Sequence, residues 1–144
     1  MIVHILCYHN NMKNQYKLTK TTVSMINYHF VFCPRYRRKI FLIPGLEDRF
    51  KDLVNEICTQ NDIEILAMEC YKDHVHLFLS ALPKLSIPEI MHLIKGGTSH
   101  VLRDEFLQLS QMQGLWTRSY FVSTSRNVSS ETIKWYVNLQ KKRY

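Results

Sequence analysis

Acidic residues are scarce in this chain. Against 12 Asp and Glu stand 19 Lys and Arg, a formal net charge of +7 over 144 residues, and a basic domain of this size meets phosphate or another acidic partner. Nucleic acid leads by charge. The four cysteines, Cys7, Cys33, Cys58 and Cys70, include no Cys-x-x-Cys pair, which argues against both a zinc ribbon and a disulfide framework and for a reducing, cytoplasmic setting. No apolar run approaches the length of a membrane span, and the apolar patch at residues 1–8 is too short for a secretory signal. What is present is a 46% apolar composition, enough for one core in one domain. Residues 1–20, rich in Asn, Lys and Thr after their first patch, read as a poorly packed N-terminal extension, and residues 21–144 as a single domain.

Residues 22–33 are β-branched and aromatic and end at Pro34, which predicts a buried strand. A basic loop, Arg35-Tyr36-Arg37-Arg38-Lys39, follows. After Pro44-Gly45, Leu46, Phe50, Leu53, Val54 and Ile57 recur at helical spacing. Residues 63–71 and 74–81 predict two strands joined by Lys72-Asp73 in a tight hairpin. Ser86, Pro88 and Glu89 start a helix with a capping box. Lys95-Gly96-Gly97 predicts a break, after which Thr98 caps a further helix through Leu109. Residues 115–124 predict a last strand, and residues 128–131 open a last helix running almost to Tyr144. The order β-α-β-β-α(α)-β-α predicts an α+β, ferredoxin-like (RRM-like) four-stranded antiparallel sheet with helices on one face, plus a C-terminal helix.

Two histidines carry the chemistry. His74 and His76 are one residue apart in a strand-like run, so both point to the same face, while Val75, Leu77 and Leu79 point to the core. The last helix has the stripe Ile133, Tyr136, Val137 and Gln140, at i, i+3, i+4 and i+7. With the first face of the sheet already covered, this helix is expected on the second, toward the histidines. His74, His76 and Gln140 then fill three positions of an octahedral Mg²⁺ or Mn²⁺ site, and Tyr136 stands beside it as a nucleophile for a phosphodiester.

Asp73-His74-Val75-His76-Leu77 followed by Tyr136-x-x-x-Gln140 resembles the single-tyrosine HUH transposases, small insertion-sequence transposases of bacteria and archaea. The resemblance extends through Tyr28-His29-Phe30-Val31-Phe32, Pro34-Arg35-Tyr36-Arg37-Arg38, Lys95-Gly96 and Leu115-Trp116-x-x-Ser119-Tyr120-Phe121-Val122. It implies metal ligation by His74, His76 and Gln140 and a catalytic Tyr136. It further implies cleavage and rejoining of single-stranded DNA at element ends through a 5′-phosphotyrosine, after recognition of subterminal hairpins. No nucleotide cofactor and no membrane are implied, and the expected setting is the prokaryotic cytoplasm beside the nucleoid. The family works as a homodimer in which the tyrosine helix can complete the partner's histidine pair.

Other residues have two readings. Arg35, Arg37, Arg38 and Lys39, interleaved with Tyr36, suit phosphates and a stacked base, or a solvated loop. Lys95-Gly96-Gly97 suits a phosphate contact or a simple helix break. Trp116, Tyr120, Phe121 and His29 read as packing residues, and His92 and His100 as ordinary surface histidines. Rival functions are a domesticated or replication-type HUH endonuclease, a non-catalytic RRM-like nucleic-acid-binding module, and, last, a zinc hydrolase.

Overall fold

Alternation builds the sheet. A computed structural model describes residues 17–18, 23–124 and 130–140. A two-residue ribbon, β1 (Lys17–Leu18) with β2 (Val23–Ser24), precedes β3 (Ile26–Phe32). Residues 1–16, most of the expected N-terminal extension, lie outside the described residues, as do 141–144 at the expected end of the last helix. In β3, Tyr28, Phe30 and Phe32 enter the main core, while Val31 enters a smaller cluster on the other side of the sheet. β4 (Glu64–Cys70), β5 (Val75–Ala81) and β6 (Phe121–Ser123) complete an antiparallel sheet in the order β4-β5-β3-β6. This is the ferredoxin-like order the sequence predicts. The β4–β5 hairpin closes at Lys72-Asp73, where the Tyr71 N–H donates to the His74 carbonyl at 2.9 Å.

Two helices, α1 (Leu46–Gln60) and α2 (Ile87–Glu105), cover the main-core face. Ser86 caps α2 through the reciprocal bonds with Glu89 that its sequence predicts. The expected break at Gly96-Gly97 is absent, and α2 runs through it. A Cβ on Gly97 would lie 2.7 Å from Cδ1 of Ile57, so the glycine serves the approach of α1 to α2 at the cost of helix propensity. Thr98, read as a cap, is buried within α2, donates to the Ile94 carbonyl at 2.7 Å and accepts from the Trp116 indole at 3.0 Å. The last strand is also shorter than expected. Trp116 makes one isolated bridge with Pro34, and the chain then leaves the ladder until Phe121, with the Thr117 and Ser119 carbonyls accepting from Lys95. Finally α3 (Ser130–Leu139) lies on the second face, where Tyr136 and Val137 pack on Val31 and Cys33 with Phe121 alongside.

Candidate active site

His74 leaves the hairpin turn and His76 follows on β5, flanking the fully buried Val75. The two rings lie on the second face with centroids 5.2 Å apart. Asp73 Oδ1 is 2.9 Å from His74 Nδ1. A carboxylate accepts, so His74 donates from Nδ1 and keeps its lone pair on Nε2. The other Asp73 oxygen accepts from Arg37 Nε at 2.5 Å. Burial alone would raise the Asp73 carboxyl, but the bonds from His74 and Arg37 overcome this and hold it below the usual carboxylate range. Tyr71 stacks on His74 at 4.7 Å and 7° and presents its ring at 64° to His76. Burial first, then the neighbouring His74 and His29, lowers the His76 pKa to about 4 despite Glu69, so the ring is neutral at neutral pH.

The helix side is organised around Ser119. Its hydroxyl donates to Gln140 Oε1 at 3.0 Å and lies 3.3 Å from the Tyr136 hydroxyl. Gln140, fully buried, returns a bond from Nε2 to the Tyr136 carbonyl at 3.2 Å. The structure therefore brings Tyr136 and Gln140 together around Ser119, and His74 and His76 together beside Asp73. Arg37 joins the two groups, because its Nη1 donates to Asn138 Oδ1 on α3 at 3.2 Å while its Nε holds Asp73. The Gln140 side-chain bonds among the described residues go to Ser119 and Tyr136 rather than to a histidine. No group of three His, Cys, Asp or Glu suited to a metal occurs among the described residues.

Lys95 explains how Ser119 is held. Its Nζ donates to the carbonyls of Thr117 at 2.5 Å and Ser119 at 3.1 Å, and lies 5.5 Å from the centre of the Tyr120 ring. Burial lowers its pKa to about 8. The side chain expected to meet phosphate is turned inward as an anchor for the loop, and the adjacent glycine amides lie inside α2. The basic loop is built differently. Tyr36 and Arg37 both adopt left-handed backbone, with φ of 59° and 52°, which costs about 1–2 kcal/mol per residue. Arg37 is fixed there by Asp73 and Asn138, and Arg35 by its N–H on the Leu115 carbonyl at 2.8 Å. Arg38 and Lys39 are exposed, and Arg38 sits 5.9 Å over the exposed Tyr36 ring.

A family model described as "Transposase IS200 like" matches residues 22–140. The chain belongs to the IS200-like transposase family. The ISDra2 transposase TnpA of Deinococcus radiodurans is 32% identical over 121 residues, which cover 82% of this chain and 86% of that protein. The transposase for insertion sequence element IS200 of Salmonella typhimurium is 35% identical over 101 residues, 67% of this chain and 65% of that one. A crystal structure of a Deinococcus radiodurans protein assigned as a transposase superposes with a TM-score of 0.78 at 31% identity, covering 86% of this chain and 97% of that one. A REP-associated tyrosine transposase bound to a REP hairpin shares the fold, with a TM-score of 0.55 at 13% identity over 85% of this chain and 68% of that one.

Three residues of this IS200-like transposase escaped the sequence reading. Asp73, expected only as part of the hairpin connection, sits in the turn before β5, where strand alternation does not apply, and its carboxylate meets His74. Ser119 is in a loop with no periodicity to mark it. His29 packs as expected, stacked on Phe78, and in addition its Nε2 lies 3.1 Å from His76 Nδ1. One signal was available for it: His29 has the strand parity of Val31, the side away from Phe30 and Phe32.

Proposed function

We propose that this transposase cleaves and rejoins single-stranded DNA through a covalent 5′-phosphotyrosine on Tyr136, at a site completed by a divalent cation, Mg²⁺ or Mn²⁺. The observation that carries the reading is the shared sheet face: a histidine pair and a helix-borne tyrosine, with Arg37 bonded to both sides of the site. The donor chemistry fits such a cation. His74 has Nδ1 committed to Asp73, His76 is neutral, and the Ser119 bond uses one lone pair of Gln140 Oε1, leaving a second. When bound, the cation offsets charge on the phosphate and orients it for in-line displacement.

In the proposed step a new bond forms between the Tyr136 oxygen and phosphorus while the bond from phosphorus to the 3′ oxygen breaks. The phenol gives up its proton and the departing 3′ oxygen takes one up. The phosphodiester energy stays in the tyrosine link, so a different 3′-hydroxyl can attack it and rejoin the strand without ATP. DNA with a hairpin is the proposed substrate, as the solved REP-associated relative is bound to a hairpin. Exposed Arg38 and Lys39 suit phosphates, the 57%-exposed Tyr36 suits a stacked base, and Arg35 and Arg37 shape the loop behind them. Action as a homodimer, with the tyrosine helix shared between chains, and a place beside the prokaryotic nucleoid complete the proposal.

The test is incubation with single-stranded hairpin DNA and Mn²⁺, followed by denaturing electrophoresis. A protein–DNA adduct is expected from the wild type, whereas Tyr136→Phe binds the DNA and forms none. An adduct that persists in Tyr136→Phe refutes the assignment.

A further inference from the structure

We propose that His29 is a positioning residue for His76, accepting its Nδ1–H and so leaving the His76 Nε2 lone pair free to face a cation. The inference rests on reading His74 and His76 as ligands, and it adds a residue that the motif itself does not contain. A neutral imidazole carries one proton, and the bond made by one ring nitrogen decides which nitrogen holds it. For His74 the choice is made by Asp73, an acceptor 2.9 Å from Nδ1. For His76 the neighbour of Nδ1 is His29 Nε2 at 3.1 Å. With Nδ1 of each ring engaged, only if His76 is the donor do both histidines keep a free lone pair, on Nε2, to offer one cation.

His29 is built to stay where it is. It is 7% exposed, lies parallel to Phe78 at 4.1 Å and 13°, and meets Phe121 edge-on at 6.3 Å and 75°. Phe78 is opposite it in the β3–β5 register, two residues beyond His76 on the same face. The acceptor nitrogen is thus fixed from two strands, while His74 is fixed by the hairpin turn. A residue present only for packing has no reason to aim a ring nitrogen at His76.

The experiment combines ¹⁵N NMR of the histidine rings, above the pH at which imidazoles ordinarily titrate, with Mn²⁺ titration of the metal-free protein. His29→Phe keeps the ring stack and removes the acceptor, and His29→Gln keeps an acceptor at a similar reach. The wild type is expected to hold the His76 proton on Nδ1. In His29→Phe the proton moves to Nε2 and Mn²⁺ binding weakens roughly 10–100-fold, and His29→Gln recovers both. A wild type with the proton on Nε2 of His76 overturns the proposal, as does His29→Phe with unchanged tautomer and affinity. If the tautomer shifts as expected but the wild type binds no Mn²⁺, His29 keeps its hold on His76 and the cation reading alone falls. Should His29→Phe fail to fold, the wild-type tautomer still decides.

Discussion

Asp73 accepts from His74 Nδ1 at 2.9 Å on one carboxylate oxygen and from Arg37 on the other. One side chain in a two-residue turn therefore orients the first histidine of the pair and, through Arg37 and Asn138, touches the helix that carries Tyr136.

Removing that carboxylate should show in metal affinity before it shows in folding. Asp73→Ala is expected to weaken Mn²⁺ binding roughly 10–100-fold, with Asp73→Asn in between because its amide oxygen can still accept from Nδ1. Titration calorimetry on the metal-free protein measures it. Equal affinity in all three proteins would remove Asp73 from the site.

The pH dependence of stability follows from His76. Its pKa in the folded protein is about 4 against an ordinary 6.5. As pH falls through this interval the unfolded chain takes up a proton that the folded chain refuses, so stability present above about 6.5 is lost progressively toward about 4. Denaturant unfolding of the metal-free protein at several pH values should show a shallower decline in His76→Gln than in the wild type. Parallel curves would contradict the burial argument.

Gly97 separates packing from propensity. Ile57 Cδ1 is the mobile end of its side chain, so Gly97→Ala should be within about 1 kcal/mol of neutral, the strain of 2.7 Å being offset by better helix propensity. Gly97→Val adds bulk that one methyl cannot evade and should lower unfolding free energy by about 1–3 kcal/mol. Urea midpoints of the two variants decide it, and a Gly97→Val as stable as the wild type would mean that α1 and α2 have room to part.

The sequence by itself determined whatever depends on local period. Alternation placed His74 and His76 on one face and Val75, Leu77 and Leu79 in the core, and helical spacing placed Tyr136 with Val137 on the packed side of α3. It also gave the sheet, since each strand's two faces and each helix's stripe admit few ways of covering one another. Tertiary structure alone decided which side chains meet across strands and turns. His29 and His76 are 47 residues apart and touch because β3 and β5 pair in one register. Ser119 reaches Tyr136 and Gln140 from a loop whose carbonyls half-buried Lys95 holds. α2 continues through Gly96-Gly97, with Gly97 packed closely against Ile57, despite the weak helix propensity of glycine. Propensity and period act over a few residues, whereas hydrogen-bond partners are chosen by whatever the folded chain brings within about 3 Å.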